Sequence, residues 1–161
     1  EPVRRAFVQF GTNEFAFVMP PEFRLDASNP EKIVLVKSDY TCFINLRIVR
    51  MGTASPAPPK PETLRGPLLS RYPSARILEE FNQSAANQTG PAFDLQFRSV
   101  AGMLQSARIV YIPCAAGLIE FTLVANADQF VNGQYAFSSL LLTFCTNEGG
   151  KLEIVPLSDT S

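Results

Sequence analysis

The chain has 161 residues, with 14 basic and 15 acidic side chains, a net charge of −1 and no histidine. This length predicts one domain with its own hydrophobic core, and the small, scattered charge provides no field that would attract nucleic acid or an anionic membrane. The lack of histidine excludes Ser-His-Asp and Cys-His mechanisms and the usual zinc patterns, and no apolar run approaches the ~18 residues of a membrane span.

Alternating apolar residues in the first 50 positions predict two β-hairpins. The first has a turn at Gly11-Thr12-Asn13 and ends at Met19-Pro20-Pro21, because proline has no N–H for the strand ladder. The second has a turn at Ser38-Asp39-Tyr40. The predicted strands are Arg5–Phe10, Glu14–Val18, Lys32–Lys37 and Thr41–Arg50.

A proline-rich connector, Thr53–Pro61, follows the second hairpin. Its prolines favour an extended segment that crosses the surface. Because a stiff loop loses little entropy when it docks, the connector is a candidate partner-binding loop, and a passive crossover is the alternative. The prolines of this candidate loop are Pro56, Pro58, Pro59 and Pro61.

The middle of the chain predicts a short helix and two further strands. The helix, Glu62–Tyr72, has Pro67 inside it, and we expect the helix to be broken there or to begin there. Pro73 stops it. The strands Ala75–Phe81 and Ala92–Arg98 are separated by a predicted polar loop, Asn82–Pro91. This loop contains two N-x-Ser/Thr triplets, which indicate glycosylation only in a secreted eukaryotic protein.

The last third predicts two central strands and an amphipathic helix. The strands, Met103–Pro113 and Gly117–Val124, are joined by a turn at 114–117 and are largely apolar on both faces. The helix, Ala127–Phe144, has Asn126 as a predicted N-cap with Gln129 three residues later. Gly133 allows a close approach to the sheet, and Lys151–Leu157 reads as a terminal strand. We expect one buried cluster between sheet and helix: Phe97, Ile109, Phe121, Phe137 and Phe144.

The order of these elements and the segment GLIEFTLVANADQFVNGQYAFSSLLLTF resemble the PsbP-like superfamily, which includes the Ran-release factor Mog and many bacterial exported proteins. The resemblance implies an α+β fold, a three-layer α/β/α sandwich on a central antiparallel sheet. The whole of 1–161 is then one domain, with a PsbP-like core at 5–145 and a C-terminal extension at 146–161. It also implies binding or assembly rather than catalysis.

The acidic residues give no catalytic pattern. Glu79 and Glu80 are adjacent in a strand and therefore point to opposite faces. Asp94 and Glu120 could approach across the sheet, although two polar-face residues explain them equally well. A calcium site around Asp26 or Asp39 is conceivable, but neither residue lies in a loop with the spaced Asp and Asn residues that bind calcium. We therefore predict no catalytic, cofactor-binding or metal-binding residue, and no cofactor.

The three cysteines allow one disulfide and one remaining thiol. The last helix should return to the level of the turn at 114–117, so Cys114 and Cys145 are the favoured pair in an oxidising compartment. Cys42, inside a strand, would then be the buried thiol. The alternative is three unpaired cysteines that act as small apolar residues.

These observations favour a non-enzymatic, exported binding or assembly domain whose partner is an unknown protein. The alternative is a carrier of an apolar or amphipathic small ligand in a cleft between sheet and helix. A hydrolase would need clustered carboxylates or an activated serine. The chain begins at Glu1 without a methionine, so we expect a trimmed form of an exported protein, either periplasmic or extracellular. A lipid anchor on a removed N-terminal segment is one form that such a protein could take.

Overall fold

The computed structural model describes residues 4–10, 13–29, 31–49, 60–72, 74–114 and 117–146. These residues form strands and two α-helices, with a 3₁₀ turn at Ala127–Gln129 just before the second helix. In chain order they are β1 (Arg5–Phe10), β2 (Asn13–Val18), β3 (Phe23–Asp26), β4 (Lys32–Lys37), β5 (Cys42–Val49), α1 (Pro61–Arg71), β6 (Arg76–Ala85), β7 (Gln88–Arg98), β8 (Leu104–Cys114), β9 (Gly117–Asn126), α2 (Phe130–Thr143) and β10 (Cys145–Thr146).

Seven strands form a central antiparallel sheet in the order β3-β4-β5-β9-β8-β7-β6. The two strands that are apolar on both faces, β8 and β9, lie inside it, as their sequences predict. Leu68 of α1 packs in a cluster on one face, and Phe137 of α2 packs in a second cluster on the other. This is the predicted α+β sandwich with helices on both sides of an antiparallel sheet.

A smaller sheet, in the order β1-β2-β10, packs beside α2. The ring of Phe144 lies 5.4 Å from that of Phe15 and 6.3 Å from that of Phe17, measured between centroids. The hydroxyl of Thr143, the last residue of α2, accepts a hydrogen bond from the Val18 N–H at 2.9 Å. The N-terminal hairpin is therefore held by the end of α2 and by β10, a strand that the sequence analysis does not predict.

The expected break at Pro67 is wrong, because α1 runs through this proline without interruption. A proline ring clashes with the Cβ of the preceding residue when that residue is helical. Here the preceding residue is Gly66, which has no Cβ, so this clash does not arise. Pro61 occupies the start of the helix, where its missing N–H costs no hydrogen bond.

The predicted polar loop Asn82–Pro91 is also wrong, since β6 and β7 continue through it as a hairpin. The turn residues Ala86 and Asn87 both have positive φ, 52° and 61°, the conformation of a two-residue type I′ turn. The β6 side of this hairpin is an edge strand with mostly exposed or half-buried residues. Its polar composition therefore resembles that of a loop.

The predicted single cluster divides between the two faces of the sheet. Phe121, Phe137 and Phe144 lie together on the α2 side, as expected. The cluster on the α1 side instead contains Ile109, with Phe97 packed against it. Alternation identifies which residues share a face of one strand, but it does not say which helix covers that face.

The start of α2 differs in detail from the sequence interpretation. Asn126 forms no side-chain cap, and its Oδ1 instead accepts a hydrogen bond from Gln105 Nε2 at 3.3 Å. The close approach at Gly133 is confirmed, since a Cβ there would lie 3.0 Å from Cys42 Sγ and 3.1 Å from a methyl carbon of Leu123. Residues 53–59 of the predicted connector and the predicted strand Lys151–Leu157 lie outside the described residues.

Candidate functional site

A row of polar side chains centred on Glu120 crosses the α1 side of the sheet. The strand register places Lys32 opposite Arg47, Arg47 opposite Glu120, and Glu120 opposite Tyr111. Paired residues of neighbouring strands point to the same face, so these side chains cross four strands in one line. Arg71, the last residue of α1, reaches the same carboxylate.

Two arginines bind the Glu120 carboxylate directly. Arg47 donates from Nε to Oε1 at 2.6 Å and from Nη2 to Oε2 at 3.4 Å. Arg71 donates from Nη1 to Oε2 at 2.5 Å. The Glu120 side chain is only 2% exposed, whereas each arginine side chain is 38% exposed. The carboxylate is therefore enclosed, and its two cationic partners remain within reach of solvent.

These contacts keep Glu120 ionised. Burial acts to raise its pKa, but hydrogen bonds from Arg47 and Arg71 outweigh burial and hold the pKa below its ordinary value. A hydrogen bond from Tyr111 acts in the same direction. Burial, and then the charge of Glu120, raise the pKa of Tyr111, which stays a neutral phenol. A carboxylate whose pKa is lowered in this way is a weaker proton acceptor than an ordinary carboxylate, so the environment of Glu120 does not tune it as a general base.

A second buried carboxylate lies on the opposite face of the sheet. Asp94 accepts two hydrogen bonds from Arg108, from Nε at 2.7 Å and from Nη2 at 2.8 Å. The guanidinium carbon of Arg108 lies 4.9 Å from the ring centroid of Phe81 and 5.9 Å from that of Phe130. Asp94 and Glu120 therefore do not approach one another, and of the two readings left open by the sequence the structure favours separate polar-face residues: Arg108 binds Asp94 on one face, and Arg47 and Arg71 bind Glu120 on the other. The bidentate, aromatic-covered pair links β7 to β8.

The exposed side chains of Glu79 and Glu80 point to opposite faces of the sheet, as the sequence predicts. Glu79 lies opposite Asp94 and Glu80 opposite Phe93, on opposite faces of the sheet. Glu80 binds Arg65 of α1, with Arg65 Nη2 at 2.7 Å from Oε1. The two carboxylates do not form a common site.

The outer face of α2, defined here as Val131, Tyr135, Ser138, Ser139 and Leu142, has the composition of an interaction surface. No charged residue occurs anywhere in α2. Val131 is 60% exposed, Tyr135 74% and Leu142 86%, at helical spacings of four and seven residues. The buried residues of this helix, Gly133 and Phe137 among them, are on the side facing the sheet. The outer face of α2 is thus uncharged and carries three large apolar or aromatic side chains that do not contribute to the core.

The two aspartates considered for calcium, Asp26 and Asp39, are turn residues. Asp26 Oδ1 accepts a hydrogen bond from the Ser28 N–H at 2.9 Å, and Asp39 Oδ1 accepts one from the Thr41 N–H at 3.0 Å. These are local Asx turns. Within the described ranges no three acidic or cysteine side chains come together to hold a metal ion.

The cysteines form no disulfide in the part of the chain that the structure describes. Cys42 is buried beneath Gly133, and burial raises the pKa of its thiol to about 11. Cys145 lies in β10, with Sγ 3.6 Å from the Ala16 carbonyl oxygen, and burial raises the pKa of this thiol as well. The pairing of Cys114 with Cys145 stays a prediction. Of the candidate loop, Pro61 is the first residue of α1, and Pro56, Pro58 and Pro59 lie outside the described residues.

The Glu120 cluster was missed at the sequence level, although one signal was present. Glu120 is the single acidic residue of β9, a strand otherwise dominated by apolar side chains. A charge in such a strand requires a partner. The partners are separated from it by 73 and 49 positions, so the sequence alone does not identify Arg47 and Arg71.

No protein-family model matches the chain, and no curated protein matches it. Solved structures do. LpqN, involved in cell envelope biogenesis of Mycobacterium tuberculosis, superposes with a TM-score of 0.60 at 12% identity, over 91% of this chain and 92% of LpqN. The Ran-binding protein Mog1p of Saccharomyces cerevisiae gives 0.57 at 13% identity, over 87% of this chain and 90% of Mog1p. Cyanobacterial PsbP (CyanoP) from Synechocystis sp. PCC 6803 gives 0.58 at 11% identity, over 95% and 92%.

The chain has the PsbP-like fold. This confirms the resemblance drawn from the order of elements and from the segment 117–144. At identities of 11 to 13% the likeness establishes the PsbP-like fold and not a shared activity. In the described part of the chain, no helix has the length and apolar character needed to cross a membrane.

Proposed function

We propose that this protein is a non-enzymatic, exported binding or assembly domain that engages a protein partner through the outer face of α2. The observation that carries the proposal is the exposure of Val131, Tyr135 and Leu142 on a helix with no charged residue. Large apolar and aromatic side chains that are exposed together on one face of a helix favour a contact with another protein. Tyrosine at its centre is also among the residues enriched in such interfaces.

The packing beneath α2 supports a protein partner over a small ligand. A carrier would need space between the sheet and α2, where Phe137 and Leu140 are fully buried. A single added carbon at Gly133 would already lie 3.0 Å from Cys42 Sγ. A binding mode that uses the outside of the helix requires no such space.

The described neighbours are compatible with this role. Mog1p is named as a Ran-binding protein, and LpqN is described as involved in cell envelope biogenesis. By analogy with LpqN we propose that this protein acts outside the cytoplasm. We also propose that Pro56, Pro58 and Pro59, together with Pro61 at the start of α1, make a second, smaller contact with the partner.

A photo-crosslinking amino acid at Ser139, on the outer face of α2, tests the proposal in the native host. We expect a discrete adduct with one protein. The adduct should be lost when Val131, Tyr135 and Leu142 are all replaced by Ser, because the apolar contact is removed while the core is untouched.

Two controls accompany this experiment. The same crosslinker at Gln88, an exposed residue of the β6–β7 hairpin, should give no such adduct. Met103→Ser, at an exposed apolar residue outside α2, should leave the Ser139 adduct intact. An adduct that survives the triple substitution would contradict the assignment of the surface, and an adduct with a second copy of the chain would show a homodimer instead.

A further inference from the structure

We propose that Arg47 and Arg71 form a binding site for carboxylates of an acidic protein segment. The site lies on the face of the central sheet that carries α1, whereas the outer face of α2 lies beyond the other face. It therefore goes beyond the proposed function, and each of the two can fail without the other.

The cluster around Glu120 carries a surplus of positive charge. One cation would neutralise Glu120, yet two arginines bind it. Lys32 adds a third cation, because the register places it directly opposite Arg47. A buried carboxylate surrounded by more cations than it needs leaves a net positive site, which attracts an additional anion.

The two arginines also offer more hydrogen-bond donors than Glu120 can use. Each guanidinium has five N–H groups in a planar fork suited to carboxylates. Among the described residues, Glu120 accepts two hydrogen bonds from Arg47 and one from Arg71, and these contacts use three of the ten N–H groups of the two guanidiniums. With 38% of each side chain exposed, an incoming carboxylate can reach these groups without a change in the fold.

The position of Arg71 favours carboxylates over phosphate as the bound anion. Arg71 is the last residue of α1, at the end of the helix whose dipole is negative. Phosphate sites usually use the opposite end, where free backbone N–H groups face the ligand. The negative helix end disfavours a dianion more than a singly charged carboxylate. Several carboxylates on one segment, contacting Lys32 together with the arginines, would also bind more tightly than one free anion.

The test is an NMR titration of the labelled protein with a blocked hexaglutamate peptide, observed at the Nε–Hε groups of Arg47 and Arg71. We expect saturable shifts at both arginines and none with a blocked hexaglutamine peptide. Arg71→Gln should weaken binding at least tenfold, while Arg47 continues to neutralise Glu120 and preserve the fold. Arg47→Gln is the reciprocal variant, with Arg71 retained.

Two further variants separate a binding site from a purely structural ion pair. Glu120→Gln removes the internal carboxylate that competes for the arginines, so we expect about tenfold tighter binding of hexaglutamate. Arg98→Gln is the matched control, because Arg98 is exposed and donates to the Gly102 carbonyl oxygen at 2.9 Å, away from the site. It should leave the affinity within twofold.

The remaining outcomes overturn the proposal. If Arg71→Gln and Arg47→Gln both bind hexaglutamate as tightly as the wild type does, the peptide binds elsewhere. Binding weakened as much by Arg98→Gln would show a general charge effect. Unchanged or weaker binding in a folded Glu120→Gln variant would show that the arginines serve only Glu120. Larger shifts with inorganic phosphate than with hexaglutamate at equal concentration would overturn the assignment to a carboxylate.

Discussion

Individual residues on the two faces of the sheet show how a small number of charges is accommodated in an apolar interior. Glu120 and Asp94 are both buried, and each carboxylate accepts at least two hydrogen bonds from arginine side chains. Breaking such a pair is costly, because removal of one partner leaves the other charge without compensation. The Glu120 cluster is the more sensitive of the two, since its carboxylate serves two cations.

Replacing Glu120 by Gln should lower the free energy of unfolding by about 3 kcal/mol, because Arg47 and Arg71 lose their buried counter-ion. Urea denaturation at pH 7 measures this change. The matched control is Glu80→Gln, in a solvent-exposed pair with Arg65, which should barely move the urea midpoint. Equal effects of the two substitutions would contradict the importance given to burial.

The depressed pKa of Glu120 also predicts a dependence of stability on pH. In the unfolded chain this group titrates near its ordinary pKa of 4.5, and in the folded protein it titrates lower. Its stabilising contribution is therefore complete above about pH 4.5 and is lost as the pH falls through the folded pKa. The difference in unfolding free energy between wild type and Glu120→Gln should shrink as urea titrations are taken from pH 6 towards pH 3. A difference that stays constant would refute the shift.

At the scale of elements, the strands and helices depend on close approaches that particular residues allow. Gly90 lies in β7 where the backbone of β8 passes nearby, and a Cβ there would lie 1.7 Å from the carbonyl oxygen of Tyr111. Gly133 allows a similar but less close approach between α2 and the sheet, where the nearest atoms are the ends of side chains. Backbone has less freedom to move than a side-chain tip, so the strand glycine is the stricter requirement.

Gly90→Ala should accordingly prevent cooperative folding, since the added methyl group overlaps main-chain atoms of β8. Thermal unfolding followed by circular dichroism would show no sharp transition. Gln88→Ala, two residues away and exposed, should retain the wild-type transition. A well-folded Gly90→Ala protein would show that the two strands can separate locally at no great cost.

The two sides of α2 should respond differently to truncation. Phe137→Ala is expected to reduce the free energy of unfolding by about 3–5 kcal/mol, because this fully buried ring fills the space between α2 and the sheet. Leu142→Ala removes a side chain that is 86% exposed and should change it by less than about 0.5 kcal/mol. Chemical denaturation measures both, and a loss below about 1 kcal/mol for Phe137→Ala would mean that the helix face is misassigned.

Sequence patterns predicted most of these elements because their information is local. Apolar alternation and proline placement located the two N-terminal hairpins and the central strands, and the 3.6-residue period located α2. The short β3 was missed because only Phe23 of its residues is buried, so alternation gives no signal. Which helix covers Ile109, and which arginines reach Glu120, depends on tertiary pairing, which no local pattern contains.

At the scale of the whole molecule, the pairing of the three cysteines depends on how the strands are arranged around α2. If an oxidising compartment produces a disulfide, we expect it between Cys114 and Cys145, with Cys42 left as a thiol. Cys42 is buried and its pKa is about 11, so little of the reactive thiolate is present. Closing this loop would stabilise the fold by about 3–4 kcal/mol in the chain-entropy model.

Peptide mapping under non-reducing conditions, after alkylation of the native protein, measures the pairing. The reduced protein is the control, and Cys42 should be its most slowly alkylated cysteine, because this thiol is the most deeply buried of the three. A bridge that contains Cys42 would contradict both the pairing and the burial of this strand beneath Gly133.

The β10–β2 contact has a consequence for the order of folding. Cys145 pairs with Ala16 across 129 positions, so the N-terminal hairpin gains its third strand only from the far end of the described chain. Contacts of such separation form late, because the loop-closure entropy must be overcome before they contribute. During synthesis the first hairpin leaves the ribosome long before its partner exists. Phe15 and Phe17 of this hairpin are then exposed in the nascent chain. We therefore expect a chaperone to bind the hairpin until α2 has been synthesised.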